Sequence, residues 1–371
     1  MLERLTRSLI AAPRRVLAAT ALIVIAAAVF GIPVANSLPA GGFQEPSAES
    51  SKAAQILADT FHRGDLQLIF VLTAPGHADV ESIRRIATDL QHELSESPFV
   101  SDVMSAWTSP PGMADALVSK DHRSGLIVAG ITGGDSEGQK HATDLTNKLA
   151  HERDGVTVKP GGLAGIYAQG NRQMQHDLLL MESIAIPLSF AVLVWVFGGV
   201  VASLLPLVVG VSAIIGSLAI LRLITFVTDV SIFALNLTVA MGLALAIDYT
   251  LLVVSRYREE LSHDPDRNSA VVRTIRTAGR TVLFSACTVA LALLTLMLFP
   301  MYFVRSFAYA GVAVVVLASL AAIVVAPTAI VLLGDRIDSL DARRLIRRIL
   351  GRQEPLPRPV TATFWYRTQR R

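Results

Sequence analysis

The sequence predicts a helical membrane bundle of six transmembrane segments, with a soluble α+β lobe inserted between the first and second. Three observations carry this. The 371 residues are 52% hydrophobic and only 17% charged, too apolar for an ordinary soluble enzyme of that size. Six apolar runs approach or exceed the ~20 residues that cross a bilayer. The remaining charges are sorted: residues 38–177 hold 18 acids against 11 bases, a net of −7, and everything outside holds 12 against 22, a net of +10. The pI near 9.2 therefore comes from membrane-flanking arms, and no nucleic-acid partner is implied. All five lysines lie in the acidic segment. The lone Cys287 permits no disulfide within the chain and no cysteine-based metal site. It reads as a small packing residue inside a helix.

Residues 1–15 are basic through Arg4, Arg7, Arg14 and Arg15, and the first span is placed at 16–37. A basic start before an apolar run also suits a signal peptide, but the run is long for one. An uncleaved span fits better. The lobe at 38–177 alternates strand and helix patterns. Its strands are expected at Leu66–Thr73, Phe99–Ala106, Gly125–Ile131 and Gly155–Lys159. Between the first two, Asp79–Ser95 aligns Val80, Ile83, Ala87, Leu90 and Leu94 on one stripe, and Gly138–His151 repeats the device between the last two. The order β-α-β-β-α-β is that of a ferredoxin-like unit. Its histidines, His62, His77, His92, His122, His141 and His151, are scattered without metal-ligand spacing. Gly161–Gly162 and the Gly165–Gly170 pair lack the Lys-Ser/Thr of a phosphate loop and read as connectors.

Beyond the lobe, residues 178–333 hold five further spans, at 178–199, 200–221, 231–254, 281–299 and 307–333. Gly198–Gly199 marks a tight reversal, and Arg222–Asp229 a short outer loop. Glu182, near the outer end of the second span, reads as an interfacial acid. Ser255–Arg280 carries six arginines and the tail at 334–371 ten more, so both are expected in the cytoplasm under the positive-inside rule. The Arg343–Arg348 cluster lies where it can meet anionic membrane lipids. With every charge-marked end consistent, both termini are expected to be cytoplasmic and the lobe extracytoplasmic. The lobe is too long for a mere connection.

The site candidate is in the fourth span, where Asp248 is the only formal charge between Ser231 and Val254. A carboxylate in hydrocarbon costs roughly 2.5–3.5 kcal/mol on insertion scales, so it is expected to face protein or a watery cavity. Asn236, Ala240, Ala244 and Asp248 recur every four residues as a small and polar stripe, and Gly242 and Ala246 flank it, allowing close helix approach. Desolvation disfavours a charged carboxylate, so such a group can take up and release protons as a cavity alternates between two sides. Tyr249 adds a hydroxyl able to donate to a carboxylate. On chemistry alone a structural polar anchor remains the alternative to a proton relay.

The run VSIFALNLTVAMGLALAIDYTLLVVSRYREEL, with Gly242, the Asp248–Tyr249 pair and the Ser255–Glu260 exit in order, resembles the fourth span of the MMPL transporters. These are large mycobacterial-type membrane proteins of the resistance-nodulation-division superfamily. AGGFQEPSAES after the first span and TVLFSACTVALALL opening the fifth are similar too. The resemblance implies export of lipids or other hydrophobic molecules across the inner membrane, driven by proton flow. It makes the lobe a porter subdomain, and Asp248 and Tyr249 half of a proton relay. Ser285 matches a polar position of the fifth span near that relay. Family members join two such halves, whereas this sequence stops at Arg371 in a segment echoing its own N-terminus. The expectation is a half-size transporter cut at the repeat junction, completed by a homodimer or a separately encoded second half. The same five-span core also resembles sterol-sensing domains, which leaves a non-transporting lipid-binding module, or an inactive fragment, as the alternative. No nucleotide-binding loop, catalytic constellation, metal or cofactor is expected, so the chain does not read as an enzyme.

Overall fold

The computed structural model describes residues 2–45, 47–61, 64, 66–74, 80–334 and 336. An amphipathic α1 (Leu2–Ala11) leads into α2 (Pro13–Gly31), which Pro13 opens at a position where its missing N–H costs nothing. After a short 3-10 turn (Ile32–Asn36) the chain enters the lobe, and α3 (Glu49–Phe61) precedes β1 (Leu66–Thr73). There follow α4 (Val80–Ser95), β2 (Val100–Ser105), a one-turn α5 (Pro111–Ala114), β3 (Ser124–Ile131), α6 (Gly134–Leu149) and β4 (Thr157–Gly161). The strands form one antiparallel sheet in the order β2-β3-β1-β4, with Leu66 opposite Ile131 and Val71 opposite Lys159. Alternation in LQLIFVLT puts Leu66, Leu68, Phe70 and Leu72 on the buried face. Ile83, Ala87, Leu90 and Leu94 of α4 and Ala142 and Leu149 of α6 are buried in the same core.

Six helices among the described residues are long and apolar enough to cross a membrane. The first is α2. The second is the later part of α7 (Gly162–Phe197), a 36-residue helix that leaves β4 and runs on without a break. Gly198, at φ +82, caps its C-terminus in the left-handed conformation that favours glycine and reverses the chain into α8 (Val200–Thr225). Next come α9 (Phe233–His263), α10 (Arg267–Leu294) and α11 (Tyr302–Leu333). In α11, 67% of the most apolar stretch is buried, against 6% in α2 and in the apolar part of α7. The bundle is thus built around α11, and Leu22, Leu179 and Trp195 point outward, as suits a lipid-facing ring.

Several sequence-based expectations change. The Gly165–Gly170 stretch is the first turns of α7, not a connector. Arg222 lies in the last turn of α8 instead of opening a loop. The fourth span continues past Val254 to His263, the fifth starts at Arg267, and the sixth starts at Tyr302. The arginine-rich stretch is therefore a helical hairpin turned at 264–266, not a loop. Its charges support helix in water through close pairs, Arg256 to Glu259 and Glu260 at 2.7 Å each. Cys287 is exposed on α10, so it is not a packing residue within this chain. His62, His77, Asp79 and the Arg343–Arg348 cluster lie outside the described residues.

The hairpin turn is held by two aspartates. Asp266 is the N-cap of α10 and accepts the Ser269 N–H at 3.0 Å. Asp264 accepts the Asp266 N–H at 3.1 Å and an Arg273 N–H at 3.0 Å. Hydrogen bonding from Ser269 lowers the pKa of Asp266, and the Asp266 N–H followed by Arg273 lowers that of Asp264. Because both are depressed on folding, their contribution is complete above the unfolded value of about 3.9 and is lost as pH falls through the folded values. Asp266→Ala is expected to speed hydrogen exchange of the Asn268–Ala270 amides about fivefold at neutral pH. An unchanged rate would mean that Asp266 does not cap α10.

Candidate functional site

The site is built where α9 and α10 diverge toward the hairpin. Leu245, Asp248, Tyr249, Leu251, Leu252 and Ser255 from α9, with Thr281, Val282 and Ser285 from α10, line a cavity of about 430 Å³. The 3.6-residue period brings Asp248, Leu252 and Ser255 to one side of α9, and Thr281 and Ser285 stand one turn apart on α10. Asp248 is exposed at the rim. Its neighbour Tyr249, only 5% exposed, turns inward. The Tyr249 hydroxyl is buried with no hydrogen bond of good geometry, and Ser285 faces it from α10. A buried hydroxyl without a partner costs ~1–3 kcal/mol, so Tyr249 sits poised to donate to a group that enters the cavity.

The structure divides the residues singled out in the sequence. Asp248, Tyr249 and Ser285 come together around one space. Ala240, Ala244 and Asp248 share an exposed face of α9, with Asn236 half-buried at its far end. Gly242 and Ala246 are buried on another face, against α8. There a Cβ on Gly242 would fall 2.5 Å from Ile214 Cγ1, and one on Gly210 would meet Ala246 Cβ at 3.3 Å. The close approach expected beside Gly242 is made by α8 and not by a helix covering Asp248. In this chain Asp248 thus faces neither the bundle interior nor a closed cavity. It opens on the seam of α9 and α10, whose outer surface also exposes Phe284, Cys287 and Leu291. Glu182 lies half-buried on α7 and is not a lining residue of that cavity.

Sequence reasoning passed over the charged network between the cavity and the hairpin turn. Glu260 joins Arg256 at 2.7 Å and Arg273 at 2.9 Å, which ties α9 to α10. Arg258 donates to Phe197 O at 3.1 Å, at the end of α7. Opposite charges at helical i, i+4 spacing in the Ser255–Arg280 stretch, Arg256 with Glu260, were the available signal. Among the described residues no group of histidine, cysteine and acidic side chains is arranged to hold a metal.

Fold and site together define a six-span membrane protein with an α+β lobe and one carboxyl–phenol pair opening within a span. The chain belongs to the MMPL family, whose model matches residues 42–371. It is 31% identical over 328 residues to the trehalose monomycolate exporter MmpL3 of Mycolicibacterium smegmatis, which covers 86% of this chain and 32% of that protein. A putative membrane protein of Streptomyces coelicolor is 37% identical over 307 residues, 80% of this chain and 42% of that protein. The chain thus spans about a third to two-fifths of the length of these curated relatives. A solved heavy metal efflux pump superposes with a TM-score of 0.50 at 16% identity, covering 72% of this chain and 35% of that one. That likeness concerns the fold alone.

Proposed function

We propose that this chain is half of a proton-driven exporter of lipids or other hydrophobic molecules in the inner membrane. The observation that carries the reading is the placement of Asp248 and Tyr249 at a cavity on an outer seam of the bundle, within an apolar run, Ser231–Val254, otherwise free of formal charge. A carboxyl there is costly when ionised and cheap when protonated. Asp248 takes a proton from the extracytoplasmic side, the face of α9 becomes neutral, and the helix repacks. Release toward the cytoplasm, ~8 residues or roughly 12 Å along the helix to Arg256, resets it. Tyr249 offers its inward hydroxyl to a group that enters the cavity while the proton moves, and Ser285 steadies the phenol. The kinship with a trehalose monomycolate exporter supports a cargo with long apolar chains.

In this reading both termini are cytoplasmic and residues 38–177 form the extracytoplasmic porter subdomain. The β-α-β-β-α-β succession and the sheet order β2-β3-β1-β4 support a ferredoxin-like unit there. The exposed Ala240–Ala244–Asp248 face is covered by a second half bearing its own acid. Small residues on this stripe permit the approach.

A cross-linking experiment tests this directly. In a Cys287→Ser background, Ala244→Cys labelled with a benzophenone maleimide, which inserts into C–H bonds on illumination, is expected to form an intermolecular link in native membranes. Ala246→Cys, buried against α8, is expected to form none. A link to a chain of the same mass identifies a homodimer, and a link to a different chain identifies the second half. Equal absence of linkage at both positions would overturn the covered-face reading.

A further inference from the structure

Leu38–Gly42 is irregular backbone, yet all five residues are buried. Buried irregular chain must find partners for its polar groups, and here the partners are unusual. Pro39 O accepts the N–H of Ile232, the N-cap of α9. Three residues on, Gly42 O accepts the N–H of Phe303 in the first turn of α11 at 3.2 Å. One strap therefore supplies acceptors to the N-termini of two adjacent membrane helices, each of which begins with unsatisfied donors. Between these bonds, the Ala40 N–H donates to Gln139 Oε1 at 2.8 Å. Gln139 belongs to α6 of the lobe and is 2% exposed.

The fit around this strap is tight. Gly42 has φ +95, and a Cβ there would lie 2.6 Å from Phe303 N. Phe43 closes the strap by packing its ring on Phe233 of α9 at 5.5 Å and Phe303 of α11 at 4.7 Å. Leu38 and Ala40 lie in one buried cluster with Ile232, Ala234 and Leu235 of α9, Ala310 of α11, and the lobe's Leu66, Leu68 and Phe70. Gln139 meanwhile leaves its Nε2 buried without a partner, a cost that an apolar side chain avoids. Its contribution is the bond to the strap.

We infer that the Pro39–Phe43 strap is a mechanical coupler, through which displacement of the relay helix α9 is delivered to α6 of the lobe by the Pro39–Ile232 and Ala40–Gln139 hydrogen bonds. Movement of α9 along or about its axis must break the cap at Ile232 or carry the strap with it, and the strap is clamped to Gln139. The inference rests on the relay reading of Asp248. It adds the route by which a proton taken up in the membrane reaches the domain outside it.

The test is hydrogen exchange of the full chain in lipid nanodiscs, comparing Asp248→Asn with the unsubstituted protein, each with and without Gln139→Leu. Neutralising Asp248 is expected to change exchange at the outer end of α9, in the strap and in α6 by about threefold or more. With Gln139→Leu the α9 response persists, the α6 response falls to baseline, and the Ala40 amide exchanges about tenfold faster. The substitution also removes the unpartnered Nε2, so this variant is expected to fold. Gly42→Ala serves as a second route to uncoupling in preparations that retain the native exchange pattern of β1 and β3. An α9 response that reaches α6 equally with and without Gln139→Leu overturns the coupler alone. Absence of any α9 response to Asp248→Asn overturns the relay reading and the coupler with it.

Discussion

Asp248→Asn is expected to reduce substrate export by about 100-fold or more, to the level of membranes lacking the protein. The amide is nearly isosteric with the carboxyl, and Asp248 is exposed at the rim of its cavity, so packing is hardly changed. No ion-pair partner is lost, since no described cation lies within salt-bridge distance of it. What disappears is the single carboxyl in the apolar run. The protein should still insert and should melt at an unchanged or slightly higher temperature, because a side chain that is costly to ionise there has left the span. Export by membrane vesicles with protein amount matched by immunoblot gives the result. Retention of more than about a tenth of native export would mean that the coupling proton travels elsewhere.

The second large effect concerns stability. Gly42→Ala is expected to cost about 3 kcal/mol or more and to lower the melting temperature in nanodiscs by several degrees. Two terms add. A φ of +95 is unfavourable for any side chain, and the new methyl would sit 2.6 Å from both Phe303 N and the Tyr302 ring. Relief requires the strap to lift, which breaks the Gly42–Phe303 hydrogen bond and opens the Phe43 contacts. Ala at Gly134 gives the comparison. That residue also has positive φ, at +64, but a Cβ there meets nothing within 4 Å, so only the smaller conformational term applies. Equal melting temperatures for the two variants would show that the strap is not held as described.

Residues with a period were legible in the sequence, and residues whose meaning depends on backbone were not. β1 coincides with Leu66–Thr73 because LQLIFVLT alternates on a sheet with one buried face. The stripe in α4 reads equally well, since Ile83, Ala87, Leu90 and Leu94 all reach the core. Helix ends fared worse. The Arg and Glu residues after Val254 look like a solvated loop, yet their i to i+3 and i+4 pairs sustain α9 for two more turns. The direction in which Asp248 points was also hidden. Small residues occur on two faces of α9, Ala240 and Ala244 on one and Gly242 and Ala246 on the other. Composition does not tell which of them α8 takes. The strap was least legible of all. Its acceptors are the carbonyls of Pro39 and Gly42, a group that every residue carries, and its destination, Gln139, lies 99 residues away. Only the pair Gly41–Gly42 signalled that backbone approached backbone there.

Proton flux addresses the role of Asp248 most directly. The protein is extracted gently with whatever chain accompanies it and reconstituted into vesicles bearing an imposed pH gradient. An enclosed pH-sensitive dye then follows the collapse of the gradient when lipid substrate is supplied. The native protein is expected to dissipate the gradient at least about tenfold faster than Asp248→Asn, with Tyr249→Phe between them. Equal rates for the native protein and Asp248→Asn, at matched protein content, would contradict a proton relay at Asp248.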